Sequence, residues 1–315
     1  MLIAGVDLGG TEIKTGIVDT KKGILYKTAV STEVALGADQ IVNNIVRSIE
    51  KLTDINNIDA IGIGSPGSID RENGIVKYSP NFPEWVNFEL AGKISRVTGK
   101  KTFVENDANA FTLGEWYFGN AKGLTDFVCI TLGTGVGSGV VTSGLFMTGK
   151  DGIGAELGHT TVLPNGPMCG CGNRGCLEAV ASAKNTAKIA KQMCKKYPES
   201  DIIKLSGSID KIESRHVFQA LELNDTAAVL TTDFVTDYLA VAMGNFVHIF
   251  NPQKIIIGGG MSKAGDLLLD PIRKKVRKHI MPSFEGTFTI ELSKLVEDAG
   301  ILGAASTAIY RMEAE

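Results

Sequence analysis

The sequence of 315 residues has no long apolar run, because no stretch of roughly 18 residues is free of polar groups, as a membrane-spanning helix requires. Its N-terminus lacks the basic region and cleavage site of a secretory signal peptide. The net charge of −3 gives no excess of positive charge to attract nucleic acid or an anionic membrane. These absences predict a cytoplasmic protein that binds neither membranes nor nucleic acid.

Cysteines are few, and their placement does not suit disulfide bonds. The count of five is odd, and three of them lie close together between Cys169 and Cys176, which favours a metal site. Hydrophobic residues make up 43% of the chain and charged residues 21%, as is usual for a globular protein with a sizeable core. The length alone favours about two domains.

The apolar pattern predicts an α/β fold in which helices cover a mixed sheet. Short apolar runs at 1–6 and 15–18 flank a glycine-rich turn and predict a β-hairpin. Apolar residues recur at helical spacing over 40–52. Buried strands are then expected at 60–63 and 101–104, and a helix at 108–117.

The same order of elements begins again at residue 127. An apolar run at 127–130 leads into Thr131-Leu132-Gly133-Thr134-Gly135, and a return strand is expected at 139–141. This segment aligns with Asp7-Leu8-Gly9-Gly10-Thr11 and its return strand after a gap of one residue, which indicates an internal duplication. Two related domains with glycine-rich turns facing a cleft would bind a ligand there. Hairpin turns also favour glycine for structural reasons alone.

The remaining pattern completes two predicted domains. A small α/β domain comprises 1–110 together with a C-terminal helix at 300–315, and a larger α/β domain comprises 111–299. Further expected elements are helices at 181–196, 226–250, 265–279 and 299–312, and a strand at 254–257.

The first glycine-rich turn has the composition of a phosphate site. Gly9 and Gly10 let backbone N–H groups approach a phosphate closely, and Thr11 adds a hydroxyl donor. Asp7 is suited to hold the hydrated Mg²⁺ of a nucleotide. The segment is neither a Walker loop nor a dinucleotide-binding motif. Gly258-Gly259-Gly260, at the end of another strand, would let a flat adenosine ring lie on bare backbone, or is simply a strand turn.

Asp107 is the candidate catalytic base. It belongs to Glu105-Asn106-Asp107-Ala108-Asn109, where a strand ends and a helix begins. Phosphoryl transfer needs a group that accepts the proton of the attacking hydroxyl, and a rigid strand end can hold one. The alternative is that Asp107 only caps the helix.

A candidate metal centre has the spacing His-x9-Cys-x-Cys-x4-Cys, formed by His159, Cys169, Cys171 and Cys176. Three thiolates and an imidazole make a closed tetrahedral zinc set, so the ion would be structural; unpaired buried thiols are the alternative. Glu156 and Glu178 flank this set. Together with Asn81 and Asn106 they suit sugar hydroxyls, because each carboxylate accepts several hydrogen bonds. Alternatively, both acids are surface charges.

Taken together, these motifs and Cys169-Gly170-Cys171-Gly172-Asn173-Arg174-Gly175-Cys176-Leu177-Glu178 resemble the ROK family of bacterial sugar kinases, chiefly glucokinases, and related repressors. The resemblance covers nearly the whole chain. It implies the duplicated actin-like ATPase (ribonuclease H-like) fold with an interdomain cleft, and the cofactors ATP, Mg²⁺ and structural Zn²⁺. It also implies a homo-oligomer, either a dimer or a tetramer.

The resemblance further implies a role for each candidate residue. Asp107 would be the base for the 6-hydroxyl of a hexose, and His159 would bind both zinc and sugar. The other sugar-binding residues would be Ser65, Gly67, Asn81, Asn106, Glu156 and Glu178. The nucleotide would be held by Asp7, Gly9, Gly10, Thr11, Lys14, Gly133, Thr134, Gly135, Gly259 and Gly260.

Several activities remain open at this point. Glucose is the expected substrate, with N-acetylmannosamine, N-acetylglucosamine, fructose and allose as alternatives, and ATP is favoured over polyphosphate as the donor. A sugar-sensing repressor without kinase activity would need a DNA-binding segment ahead of Asp7. A zinc-based nucleic-acid module would need a basic recognition helix and a positive net charge.

Overall fold

A computed structural model describes residues 1–314. The strands are β1 (Leu2–Leu8), β2 (Glu12–Asp19), β3 (Gly23–Ser31), β4 (Ala60–Ser65), β5 (Ser68–Asp70), β6 (Ile75–Tyr78), β7 (Val86–Phe88), β8 (Lys101–Asn106), β9 (Phe127–Leu132), β10 (Val136–Thr142), β11 (Leu145–Phe146), β12 (Lys254–Gly258) and β13 (Thr289–Leu292). The α-helices are α1 (Ala38–Glu50), α2 (Leu90–Thr98), α3 (Asp107–Tyr117), α4 (Leu177–Ala181), α5 (Ala183–Lys196), α6 (Asp201–Ser206), α7 (Ser214–Glu222), α8 (Thr226–Phe250), α9 (Asp266–Val276) and α10 (Ala299–Ala314). These elements confirm the α/β prediction.

The chain forms two compact units. Unit 1 contains Met1–Gly123, the short segment Thr148–Gly154 and the chain from Lys294 onward. Unit 2 contains Leu124–Met147 and Ala155–Ser293. Helix α10 therefore belongs to unit 1, together with the N-terminal strands.

Unit 1 is built on a five-stranded mixed sheet with the order β3-β2-β1-β4-β8. Strand β1 is antiparallel to β2 and parallel to β4. Its side chains alternate between the two faces: Ala4 and Val6 join the core that contains α1, whereas Ile3 joins the core that contains α10. Burial on both faces explains why β1 is a continuous apolar run instead of an alternating one.

Helix α10 lies directly on this sheet. A Cβ atom at Gly62 of β4 would come within 1.9 Å of the backbone oxygen of Ala304. The strand and the helix backbone can only approach so closely because residue 62 has no side chain. Gly5 of β1 is in the same situation, since its Cβ would lie 2.3 Å from the backbone oxygen of Ile301.

Unit 2 repeats this plan with a sheet of order β11-β10-β9-β12-β13. Its hairpin pairs Leu132 with Val136, whereas the hairpin of unit 1 pairs Leu8 with Ile13. The second turn is therefore one residue shorter, as the aligned sequences predict. The shared strand order confirms the internal duplication and the duplicated two-domain fold.

The core of unit 2 holds in place the segment that carries the predicted metal ligands. Helix α8 contributes buried side chains to this core along its length, among them Leu239, Met243 and Phe246. Leu157, Leu177 and Val180, which neighbour the metal-site residues in sequence, belong to the same core. In residues 1–314, no helix has both the length and the apolar character needed to cross a membrane.

Some elements differ from the sequence-based expectation. The helix predicted at 181–196 is interrupted at Ser182, whose side chain accepts a hydrogen bond from the N–H of Asn185 at 3.3 Å and so begins α5 as an N-cap. The helix predicted at 265–279 ends as an α-helix at Val276. Elements β3, β5, β6, β7, β11, β13, α2, α4, α6 and α7 were not predicted, because they are short or, like β3, largely exposed.

Candidate functional site

The first glycine-rich turn joins β1 to β2 in unit 1. The N–H of Gly9 donates to the oxygen of Glu12 at 3.0 Å and closes the turn, while Thr11 is exposed. Asp7 is the register partner of Lys14. Burial raises the pKa of Asp7 above its ordinary value; Lys14 acts in the opposite direction, and Glu12 adds to the rise. A desolvated carboxylate of this kind would be stabilised by a bound cation.

Two residues from distant segments contact this turn. A Cβ atom at Gly10 would lie 3.0 Å from Nδ2 of Asn81, so the Asn81 side chain lies against the turn. A Cβ atom at Gly300 would lie 2.2 Å from Oδ2 of Asp7, which places this carboxylate at the first turn of α10. The structure thus brings one predicted sugar-binding residue to the predicted phosphate turn.

Asp107 is the first residue of α3 and is exposed. The helix begins there because the Asn106 side chain is the N-cap: its Oδ1 accepts from the N–H groups of Ala108 at 2.9 Å and Asn109 at 3.3 Å. The alternative that Asp107 is the cap is therefore wrong, since the cap is Asn106. Nδ2 of Asn106 donates to the oxygen of Gly67 at 3.0 Å. Ser65, its register partner on β4, is fully buried.

Directly before this turn lies a buried acid to which the sequence analysis assigned no role. Glu105 is 1% exposed, and its Oε1 accepts from the N–H of Asn106 and from Nδ2 of Asn109, both at 3.0 Å. Its Oε2 lies 2.9 Å from Nε of Arg71. The sequence contained one indication of this ion pair. Glu105 continues a strand expected to be buried, and a buried carboxylate is stable only when a cation or hydrogen-bond donors pair with it. Nothing in the sequence singled out Arg71 as that cation.

The second glycine-rich turn joins β9 to β10 in unit 2. The N–H of Gly133 donates to the oxygen of Gly135 at 3.0 Å. A Cβ atom at Gly133 would meet nothing within 4 Å, whereas one at Gly135 would lie 2.4 Å from Oε2 of Glu178. Gly259 lies beside this turn, with a potential Cβ 2.6 Å from the oxygen of Leu132, while Gly260 is open. The two predicted nucleotide segments of unit 2 are therefore neighbours.

The four predicted metal ligands converge in unit 2. Their ligand atoms all lie within 4.8 Å of one another. The Sγ atoms of Cys171 and Cys176 are 3.7 Å apart, and Nδ1 of His159 is 3.6 Å from Sγ of Cys169. A tetrahedral ion with bonds of about 2.3 Å to sulfur holds sulfur atoms about 3.8 Å apart, so these residues fit such an ion.

The loop that carries these ligands is shaped by its glycines. Gly172 and Gly175 have φ angles of +92° and +70°, and a Cβ at Gly175 would lie 1.7 Å from the oxygen of Leu163. Burial raises the pKa of the Cys169 thiol to about 12, whereas the backbone N–H of Asn173 lowers the pKa of the exposed Cys171. Since metals bind thiolates, a bound cation would oppose the effect of burial on Cys169.

The two flanking acids lie on the same side of unit 2 as the metal ligands. Glu178 Oε2 accepts from the N–H of Val136 at 3.0 Å, and Oε1 lies 3.6 Å from Sγ of Cys169. Desolvation raises the pKa of Glu156; His159 opposes the rise, and the charge of Glu178 adds to it. His159 faces the cysteines through Nδ1, which makes Nε2 the ring nitrogen available to a second ligand.

A cavity of about 920 Å³ adjoins the second turn and the metal-binding loop. Its lining includes Thr134 and Gly135 of the turn, Cys169, Glu178, and two lysines of α5, Lys184 and Lys188. This volume is within the usual range for small-molecule sites. Lys184 and Lys188 are further candidate residues, and no motif in the sequence singled them out.

Comparison with known proteins gives one consistent result. Residues 3–311 match the model of the ROK family. The chain is 52% identical over 304 residues to a glucokinase of Thermotoga maritima, covering 96% of each chain. It is similar to the crystal structure of a ROK family glucokinase from Streptomyces griseus in complex with glucose and AMPPNP (TM-score 0.83, 36% identity, 97% and 98% of the chains). It is also similar to a ROK hexokinase from Thermus thermophilus (TM-score 0.83, 30% identity, all of both chains).

Proposed function

The chain belongs to the ROK family, and we propose that it is an ATP-dependent hexose kinase that converts glucose to glucose 6-phosphate. The observation that carries this proposal is the 52% identity to a glucokinase over 96% of both chains. The glucose and AMPPNP of the Streptomyces griseus structure further support a sugar acceptor and an ATP donor. Among the alternatives from the sequence, glucose is thereby preferred to other hexoses.

We assign the role of general base to Asp107. Its exposed carboxylate would accept the proton of the sugar 6-hydroxyl while that oxygen attacks the γ-phosphorus of ATP. The bond from the γ-phosphorus to the β–γ bridging oxygen breaks, and ADP leaves. The Asn106 cap and its bond to Gly67 support this role, because they hold Asp107 at a defined helix start.

The remaining hydroxyls of the sugar are assigned to a set of side chains in which the amides and the imidazole can donate hydrogen bonds and the carboxylates accept them. These are Asn81, Asn106, Glu156, His159 and Glu178. The backbone of Gly67 would line the sugar pocket. Ser65 is fully buried, so it would support the Gly67 backbone without touching the sugar. Nε2 of His159 is the atom assigned to the sugar, because Nδ1 faces the cysteines.

The nucleotide is assigned to the two glycine-rich turns and the segment after β12. The phosphate-binding residues are Gly9, Gly10, Thr11, Lys14, Gly133, Thr134 and Gly135, with Gly259 and Gly260 at the adenosine. Asp7 would hold hydrated Mg²⁺, which neutralises the phosphate charge when bound. The open space at Gly133 and Gly260 supports this assignment, because a phosphate or a ring needs unobstructed backbone.

We propose Zn²⁺ as the ion of the metal centre formed by His159, Cys169, Cys171 and Cys176. The thiolate-rich donor set and its separations suit zinc. Four protein ligands leave no position for a reacting water, so the ion would stabilise the loop and take no part in the chemistry.

We also propose that the protein is cytoplasmic and forms a homo-oligomer, either a dimer or a tetramer. It is proposed to bind neither nucleic acid nor membranes.

A coupled assay of ADP release tests the proposed function. The purified protein is incubated with Mg²⁺-ATP and each of glucose, N-acetylmannosamine, N-acetylglucosamine, fructose and allose. Polyphosphate yields no ADP, so polyphosphate as donor is tested by measuring the sugar phosphate formed. We expect the highest kcat/KM with glucose and ATP, and a loss of roughly a hundredfold or more in Asp107→Asn, because general-base catalysis contributes about that much. Absence of glucose-dependent ADP release, or faster turnover of another sugar, would overturn the assignment.

A further inference from the structure

We propose that Glu105 and Arg71 are positioning residues that hold the turn carrying Asp107 in its reactive geometry. This inference rests on the proposed function, since it concerns the base of the same reaction. Neither residue is expected to touch sugar or nucleotide. They act through the backbone and side chains on either side of Asp107.

The contacts of Glu105 define the first turn of α3. One carboxylate oxygen, Oε1, accepts the N–H of Asn106, the residue before Asp107, at 3.0 Å. The same oxygen accepts Nδ2 of Asn109, two residues after Asp107, at 3.0 Å. Asp107 is therefore held from both sides by a single buried oxygen atom.

Arg71 fixes the other half of this carboxylate. Its Nε lies 2.9 Å from Oε2 of Glu105, and the two side chains are only 10% and 2% exposed. The Arg71 guanidinium lies 5.7 Å from the ring centre of Tyr310 on α10, and its Cγ and Cδ are 3.8 Å from a potential Cβ at Gly152. The ion pair is thus held by packing from two other segments of unit 1.

Stability alone is a weak explanation for such a pair. Burying two charges costs about as much as their attraction returns, and well-packed apolar residues often stabilise a core equally well. An apolar side chain at position 105 could not accept the two hydrogen bonds that flank Asp107. The buried pair is therefore better explained by geometry at the reacting group, where a displacement of about 1 Å lowers the rate by roughly a hundredfold.

The test compares four variants with the wild type. Glu105→Gln and Arg71→Met each remove one charge, Arg71→Lys keeps the charge, and Arg71→Met/Glu105→Gln removes both. We expect kcat to fall about 10- to 100-fold in the two single charge-removing variants, as is typical when a group that orients a functional residue is lost. The KM for ATP should stay within about twofold, because the nucleotide contacts are untouched.

Two patterns separate positioning from general destabilisation. The double variant should lose no more activity than the worse single variant, since both act through one interaction, and Arg71→Lys should recover part of kcat. The matched control is Glu291→Gln in unit 2, which breaks a different, less buried ion pair, with Lys254 Nζ 3.0 Å from Oε2. That control should leave kcat unchanged.

Each outcome bears on the proposal. Wild-type kcat in Glu105→Gln, or a loss that disappears when rates are corrected for the folded fraction, would overturn it. A crystal structure of Glu105→Gln provides a readout independent of activity, with a displaced Asp107 carboxylate expected and an unmoved one contradicting the proposal. If the wild type itself fails to phosphorylate glucose, the proposed function fails, whereas the crystallographic comparison still decides the positioning role.

Discussion

The carboxylate of Glu178 accepts a hydrogen bond from the backbone N–H of Val136, with 3.0 Å between Oε2 and N. Its other oxygen, Oε1, lies 3.6 Å from Sγ of Cys169. One side chain therefore contacts both the second glycine-rich turn and a ligand of the proposed metal centre. A displacement of the loop that carries the proposed metal ligands would therefore also move a side chain that contacts the proposed phosphate site.

Replacing Glu178 by Gln should raise the KM values for both glucose and ATP. Glutamine has a single acceptor oxygen, so it cannot serve Val136 and the sugar as a carboxylate does; losing a hydrogen bond to a charged group corresponds to roughly tenfold or more. Steady-state kinetics with each substrate varied measures both values. Glu156→Gln is the matched control and should raise the KM for glucose alone. An unchanged KM for ATP in Glu178→Gln would refute the double role.

Replacing Cys176 by Ser should release the bound zinc and lower the melting temperature. Cys176 is fully buried and is one of the four proposed ligands, so the remaining three would hold the ion only weakly. Elemental analysis and thermal melts check both effects. Cys194→Ala changes another fully buried cysteine, outside the ligand set, and should keep its zinc. Equal zinc contents in the two variants would contradict the assigned centre.

Replacing Asp7 by Asn should stabilise the protein at neutral pH while abolishing Mg²⁺-ATP turnover. Burial raises the pKa of Asp7 above its ordinary value of 3.8, so the ionised form is disfavoured by folding. The free energy of unfolding of the wild type therefore falls as the pH rises from the ordinary value of 3.8 through the folded-state pKa. The variant has no ionisable group at position 7, so its stability does not fall for this reason. Thermal melts in metal-free buffer should show the advantage at pH 7 and none below the ordinary value. A less stable variant at pH 7 would disprove this account.

Alanine at the two ends of the second turn should have different effects. Gly135→Ala places a methyl group 2.4 Å from Oε2 of Glu178, so we expect a loss of stability of about 1–3 kcal/mol. Gly133→Ala meets nothing within 4 Å and should melt like the wild type. Its methyl group would nevertheless obstruct a phosphate, which raises the KM for ATP. Normal ATP kinetics in Gly133→Ala would remove Gly133 from the phosphate site.

The sequence allowed prediction of features whose residues are neighbours along the chain. The metal ligands lie in one short segment with glycines between the cysteines, and ligand chemistry limits what such a set can be. The two hairpins repeat an apolar strand, a glycine-rich turn and a return strand in the same order, so their equivalence was visible without coordinates. The helix predicted at 108–117 was also found, one residue longer at its start, and its cap proved to be Asn106.

What the sequence could not provide depends on tertiary contacts. Arg71 is an ordinary basic residue in a turn until folding places it beside Glu105. Trp85 stacks on Phe82 and Phe88 with ring centres 4.4 Å and 4.3 Å away, yet the short strands around it have no periodic pattern long enough to predict. The break at Ser182 was missed because a single serine fits a helix unless its hydroxyl caps the next one.

The placement of α10 affects how the protein is made. Its contact with Gly62 completes a unit whose sheet strands all precede unit 2 in the sequence, so α10 is synthesised only after unit 2. A ribosome-bound chain that lacks α10 leaves the apolar face around Ile3 and Ala60 uncovered. Unit 1 therefore cannot bury this face until α10 has been synthesised, and during that interval the exposed apolar surface favours aggregation.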